Sequence, residues 1–211
     1  MSITQDKILI NRSSKKFIDN LLENNQNWNI LDIGCGFTAH KSASVICDIK
    51  DLQSFYKDKK FVKLSEKTLP FKNKEFDFVI ASHVLEHVED PAFFIKELER
   101  VSSQGYIELP TILEDNLVFE NKQDHLWHME FDDVESQLIV SKKIQFMEPV
   151  LTVSSIKKFS EYFRQSLILE LYWKNEINYK MVDKSIFTDN KISRLALLRK
   201  FLSKILRNII R

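Results

Sequence analysis

Apolar positions recur along this chain at two spacings, and the switches between them mark its elements. Between Ser13 and Glu23, Phe17, Ile18, Leu21 and Leu22 fall on one face at three- and four-residue steps, which predicts an amphipathic helix. Short apolar runs bounded by polar residues follow at 30–33, 44–49, 61–64, 76–81 and 104–109, and each predicts a strand. The fourth, from Phe76 to Ala81, is apolar enough for the centre of a sheet buried on both faces. A helix is predicted over 91–101, with Asp90 as its N-cap and Pro91 at its first position, where a missing N–H costs nothing. Strands alternating with helices predict an α/β fold built on a doubly wound, mostly parallel sheet.

Past Pro110 the rhythm changes. Segments 127–131 and 137–146 read as a two-stranded excursion joined through Asp132-Asp133-Val134-Glu135-Ser136, and 154–164 reads as a helix. Segments 167–173 and 177–182 read as an antiparallel terminal hairpin. The expected organisation is one domain over 1–190, with a hairpin-like insertion over 121–147, and a tail over 191–211. In that tail Ile192, Leu195, Leu198, Leu202, Ile205, Leu206 and Ile209 recur at helical steps, with Lys200, Lys204, Arg207 and Arg211 opposite them. This is the build of a basic amphipathic helix, suited to an anionic membrane surface. A homodimer helix and a helix docked on the domain's own sheet are the open alternatives.

Composition sharpens the contrast between body and tail. The net charge of +1 over 211 residues divides into +7 on residues 191–211, which hold no acid, and −6 on residues 1–190. An acidic body argues against nucleic acid as a partner. Two cysteines, Cys35 and Cys47, with no CxxC pair, imply a reducing cytoplasm and give no metal-ligand set. The first residues lack the basic-then-apolar build of a signal peptide, and no apolar run approaches the roughly 18 residues of a membrane span.

The chemistry concentrates at the ends of the predicted strands. The run Leu31-Asp32-Ile33-Gly34-Cys35-Gly36 carries two of the chain's three glycines in one turn. Glycine adopts positive φ without strain and lets a ligand approach bare backbone. Asp32 stands where a cation or hydroxyl would sit at the carboxyl edge of a parallel sheet. Asp48 ends the second strand, Leu69-Pro70-Phe71 precedes the fourth, and Ser82-His83-Val84-Leu85-Glu86-His87-Val88-Glu89-Asp90-Pro91 follows it.

In that order these blocks resemble the class I S-adenosylmethionine-dependent methyltransferases, and most closely their small-molecule branch, the type 11 methyltransferase domain. The resemblance covers residues 28–110 firmly and implies a Rossmann-like sheet with S-adenosylmethionine as cofactor. It implies that Gly34 and Gly36 receive the methionine carboxylate, Asp32 faces the ammonium, and Asp48 accepts from the ribose hydroxyls. It also implies an adenine contact from Ser65 or Glu66, in place of the family's aspartate ahead of the Leu-Pro-Phe run, and cofactor contacts at Ser82 and His83. Thr38 stands where many members have a third glycine, and only eleven residues separate Gly36 from Asp48, so 37–43 is expected to be a loop.

His83, Glu86 and His87 admit three readings. One is a general base at His83; another is structural support for the loop before Pro91. The third is a divalent-cation site, since ubiquinone-pathway O-methyltransferases use a similar Glu-x-x-Glu-His cluster. Asp124-His125-Leu126-Trp127-His128-Met129-Glu130 reads as a substrate-contact segment with His125 and His128 as catalytic candidates, or as an ordinary strand. Tyr106 and Glu108 are expected to face the same cleft. Histidine near a methyl donor favours a hydroxyl acceptor, whose proton must be removed. The resulting expectation is O-methylation of a small polar acceptor, such as a sugar or an envelope polysaccharide precursor, at the cytoplasmic face of a membrane. A quinone or phenolic lipid acceptor and a non-catalytic cofactor-binding partner subunit are the alternatives.

Overall fold

A computed structural model describes residues 9–183 and 191–209. The elements run β1 (Leu9–Arg12), α1 (Lys15–Glu23), β2 (Ile30–Ile33), β3 (Val45–Asp48), β4 (Lys60–Lys63), β5 (Phe78–Ser82), α2 (Pro91–Val101) and β6 (Gln104–Pro110). They continue through α3 (Ile112–Leu117), α4 (Asn121–Asp124), β7 (Trp127–Asp132), β8 (Gln137–Lys142), α5 (Val153–Leu167), β9 (Ile168–Lys174), β10 (Tyr179–Val182) and α6 (Arg194–Ile209). Seven strands form one sheet in the order β1-β9-β6-β5-β2-β3-β4. The five strands from β6 to β4 are parallel, while β9 runs antiparallel to both β6 and β1.

Strand alternation distributes the apolar side chains to the two faces. Leu31, Ile33, Val79, Ala81 and Ile107 pack under Ile95 and Leu98 of α2. Ile30, Ile46, Phe78, Ile80 and Tyr106 pack under Ile18 and Leu22 of α1. Both helices are stopped at their N-termini by side-chain caps: Phe17 N–H donates to Ser14 Oγ at 3.2 Å and Phe93 N–H to Asp90 Oδ1 at 2.9 Å. Helix α2 also pins the Leu69-Pro70-Phe71 run. Glu97 accepts from the Leu69 N–H at 2.7 Å, while Arg100 donates to the carbonyls of Leu69 and Phe71.

The expected terminal hairpin is corrected. Its first half is β9, but β9 lies between β6 and β1, with Gln104 opposite Lys174 and Pro110 opposite Ile168. Its second half, β10, joins a separate three-stranded sheet, β10-β8-β7, parallel to β8. The reason is burial: Ile168 to Leu171 and Trp173 are covered on both faces, a property of an interior strand, whereas β10 is half exposed. Asn175 at φ +68° turns the chain away, and Asn178 receives from Gln137 and donates to the carbonyls of Glu135 and Ser136, docking β10 beside β8.

The excursion β7–β8 pairs antiparallel from Trp127–Lys142 to Asp132–Gln137. The expected strand to Phe146 ends at Lys142, because Phe146 N–H donates to Asn116 Oδ1 of α3 and leaves the ladder. Helix α6 carries Leu195, Leu198, Leu202 and Leu206 exposed. It is tied down at its start, where Glu148 accepts from the Arg194 backbone at 2.9 Å. No described helix is long and apolar enough to cross a membrane.

Candidate active site

The carboxyl edge of the parallel strands carries two adjoining chemical regions. The first is built on backbone. Gly34 and Gly36 both adopt positive φ, +67° and +49°. A Cβ at Gly34 would stand 2.4 Å from Val84 Cγ2, so the turn and the loop after β5 can meet only without a side chain there. Above Gly36 the space is open, with nothing within 4 Å of an added Cβ. Residues 37–43 form no helix, as their shortness predicts.

Asp32 is buried at the end of β2 and accepts from the His40 N–H at 2.7 Å. Burial pushes its carboxyl up to about 6 against the opposing pull of that hydrogen bond and of nearby His40 and Lys59. An acid so placed gains from a cation. Asp48, at the tip of β3, accepts from the backbone N–H groups of Gly36 (2.9 Å) and Lys50 (2.8 Å). Each carboxylate oxygen keeps a second acceptor position, enough for a pair of hydroxyls. Tyr56, which the sequence reading missed, braces this turn. Its hydroxyl donates to the Gly36 carbonyl at 2.9 Å and accepts from the Ala39 N–H at 2.9 Å. Ile49, next to Asp48, and Phe37 stay exposed and offer apolar surface beside the turn. An open glycine turn, a buried acid and a fixed strand-tip carboxylate fit the carboxylate, ammonium and ribose of an S-adenosyl amino acid. Ser65 and Glu66 lie exposed after β4.

The second region is built on charged side chains. His83, at φ +54°, donates its backbone N–H to the Glu108 carbonyl. Its Nδ1 lies 3.3 Å from Glu86 and its Nε2 3.5 Å from Glu108. Burial opposes its charge, but the two carboxylates override that and raise it to about 10. Both carboxylates thus favour the charged form of His83, which counts against the neutral imidazole base expected there. Burial also opposes the charge of Glu108, yet His83 and Arg164 hold it down to about 2. Tyr106 donates its hydroxyl within this group, 3.0 Å from Glu108 and 2.7 Å from Glu170, and Arg164 bridges the same two acids at 2.8 and 3.0 Å.

His125 and His128 are brought together, but on a carboxylate neither was predicted to meet. Both point Nδ1 at buried Asp115, which also receives Lys143 at 3.3 Å. His128 Nε2 is taken by the Ile144 carbonyl at 2.9 Å, so this side chain has no nitrogen left for a substrate. Its catalytic assignment gives way to a packing role. Against burial, hydrogen bonds to His125 and His128 and the nearby Lys143 hold the Asp115 carboxyl well below the usual carboxylate range.

Next to Asp115 stands Glu114, also missed. Burial raises its carboxyl to about 7, with His83 pulling down and Asp115, Glu86 and Glu108 pushing up. Its Oε2 is buried without a hydrogen-bond partner. Glu114 and Asp115 sit in the first turn of α3, a six-residue helix capped by Thr111. Their only sequence signal is that they follow the fifth predicted strand by five and six positions.

Residues 31–107 match the family model described as methyltransferase domain. Over 173 residues the chain is 31% identical to an uncharacterized protein of Methanocaldococcus jannaschii, covering 72% of this chain and 71% of that one. Among solved structures it is similar to an S-adenosylmethionine-dependent methyltransferase from Mesorhizobium loti, at 13% identity, 74% and 96% coverage of the two chains, and a TM-score of 0.42. A protein from Pyrococcus horikoshii gives 14% identity, 77% and 92% coverage, and a TM-score of 0.42. The glycine turn at the end of β2, the acid at the tip of β3 and the matched span 31–107 that contains both agree: the chain belongs to the class I S-adenosylmethionine-dependent methyltransferases.

Proposed function

We propose that this methyltransferase acts on a hydroxyl group of a polar acceptor, of the sugar or envelope-precursor kind, with Glu114 receiving the hydroxyl proton. On this reading Gly34 and Gly36 meet the methionine carboxylate of the cofactor, Asp32 its ammonium and Asp48 its ribose, as the resemblance implied. When bound, S-adenosylmethionine supplies a methyl group already activated on a sulfonium. The chain's own task is then to align the acceptor and remove its proton. Glu114 carries the proposal: a carboxyl raised to about 7, with a buried, unpartnered oxygen, is matched to base chemistry near neutral pH. His83 acts beside it as a fixed positive charge that keeps Glu108 and the loop after β5 in place.

Two further observations support the nature and setting of the acceptor. A shallow groove of about 630 Å³ between α1 and α5 is bordered by Lys15, Asp19, Asn20, Lys41, Ser160 and Arg164, whose charged and hydrogen-bonding groups can meet a polar ligand. Helix α6 presents Leu198, Leu202 and Leu206 on one side and Lys200, Lys204 and Arg207 on the other, all exposed, a pattern that favours an anionic membrane surface. The test is transfer of a labelled methyl group from S-adenosylmethionine to extracted envelope precursors. The expected product is an alkali-stable methyl ether in the water-soluble or lipid-linked glycan fraction. Label confined to phenolic lipids, or to amines, refutes the acceptor reading. Sedimentation with anionic vesicles that survives deletion of 191–211 refutes the role of the tail.

A further inference from the structure

Three side chains from two distant segments converge beyond the end of β5. Glu86 and His87 come from the loop before α2, and His125 from the residue after α4. One donor atom from each lies within 4.8 Å of the other two. The segments are stapled to each other by backbone: Leu126 N–H donates to the Glu86 carbonyl at 2.8 Å, and Trp127 Nε1 to the Val88 carbonyl at 2.8 Å.

Glu86 is the unexplained group. Its carboxylate is completely buried, and neither oxygen has a hydrogen-bond partner. His83 Nδ1 stands 3.3 Å from one oxygen, an ion pair outside hydrogen-bonding alignment, and its other nitrogen faces Glu108, so the Glu86 oxygens have a charge nearby but no bond. Buried carboxylate oxygens without partners are rare because the lost hydration must be replaced. A metal ion bonded to those oxygens would replace it.

Both imidazoles are already turned for such a cation. His87 Nδ1 lies 2.9 Å from the Asp124 carbonyl oxygen, which can only accept, so the proton is on Nδ1 and the Nε2 lone pair is free. His125 Nδ1 is engaged by the Asp115 carboxylate, which leaves its Nε2 free as well. The rings meet edge to face with centroids 4.5 Å apart. Holding one imidazole nitrogen on a carboxylate or carbonyl is how proteins aim the other at a metal.

We propose that Glu86, His87 and His125 form a divalent transition-metal site of the zinc class, with Asp115 and the Asp124 carbonyl as its supporting acceptors. Two imidazoles and one carboxylate favour Zn²⁺ over Mg²⁺, which prefers all-oxygen sets, and three protein ligands leave a coordination position unfilled. The ligand set differs from the cluster His83-Glu86-His87 read from the sequence: His125 takes the third place, and His83 is committed to carboxylates. The proposal does not depend on which acceptor is methylated.

The test uses the full chain after chelator treatment, titrated by calorimetry with Zn²⁺ and separately with Mg²⁺, and with Co²⁺ followed by visible absorption. The expected result is one Zn²⁺ per chain, a Co²⁺ band and no Mg²⁺ binding of comparable strength. His87 is exposed, so His87→Ala is expected to keep its affinity for S-adenosylhomocysteine while losing at least about tenfold in Zn²⁺ affinity. Glu86→Gln is expected to lose as much. Absence of stoichiometric Zn²⁺ binding, or His87→Ala binding Zn²⁺ as tightly as the parent chain, overturns the site.

Discussion

The two halves of the sheet edge solve different problems with different materials. Around β2 and β3 the site is mostly backbone: a positive-φ turn with N–H groups shared with Asp48, a tyrosine brace and the two buried acids Asp32 and Asp48. Around β5, β6 and α3 it is a lattice of ionisable side chains, in which His83, Glu86, Glu108, Glu114, Asp115, Lys143 and Arg164 lie in or beside a shared field. A constant ligand can be met by geometry that few substitutions tolerate. A proton transfer needs groups whose affinity for protons is set by neighbours, and those neighbours come from several elements. Buried charge in the second half is stable only as a matched set, because each ion's lost hydration is replaced by its partners.

If Glu114 is the base, the largest effect belongs to it. Glu114→Gln should lower turnover by about 10²–10⁴-fold, with S-adenosylhomocysteine affinity unchanged by calorimetry. Loss of affinity together with turnover would place Glu114 in the scaffold instead. The next effect measures how strongly the charged half depends on its matching. Asp115→Ala strands Lys143 and two histidines in the interior and should cost about 3–5 kcal/mol of stability in urea unfolding. A change below 1 kcal/mol, about what an exposed pair contributes, would show that the cluster is effectively solvated.

Gly34→Ala tests the backbone half. The new Cβ meets Val84 at 2.4 Å from a φ of +67°, so it should destabilise the fold by about 1–3 kcal/mol and weaken S-adenosylhomocysteine binding at least about tenfold. Binding that stays intact would mean the turn is not the cofactor's seat.

The smallest effect is a pH dependence of cofactor affinity, which only the first half should set. Asp32 sits at about 6 because burial favours its neutral form, whereas a cofactor ammonium favours the ionised one. Affinity should therefore be weak below 6 and rise by up to about tenfold between pH 5 and 7, with uptake of the cofactor releasing a proton. Asp32→Asn should flatten that rise relative to the parent chain. An unchanged slope would move the ammonium away from Asp32.

Legibility followed the same division. Asp32, Gly34, Gly36 and Asp48 are local: each lies where its own strand ends, and order along the chain is enough to line them up. Tyr56 escaped notice because a tyrosine twenty residues past the turn has no periodicity that points back to it. His83 was found as a residue, but the carboxylate that faces its Nε2, Glu108, lies on the neighbouring strand and no spacing pairs the two. His125 and His128 were found as a pair, yet their shared partner Asp115 lies in a helix too short to leave a pattern. Strand β9 was legible as a strand and misplaced in the sheet, because its burial on both faces calls for two neighbours and its sequence does not say which.

The sequence by itself determined the alternating α/β rhythm, the glycine turn, the acids at the strand tips and the amphipathic tail. These depend on side-chain periodicity and on conformations that a few residue types alone adopt. Tertiary structure decided which strands flank β9, which histidine meets which carboxylate, and which charges surround Glu114 and His83. Those outcomes depend on burial and on charges brought within a few ångströms from residues far apart in the chain, and spacing along the chain carries no record of them.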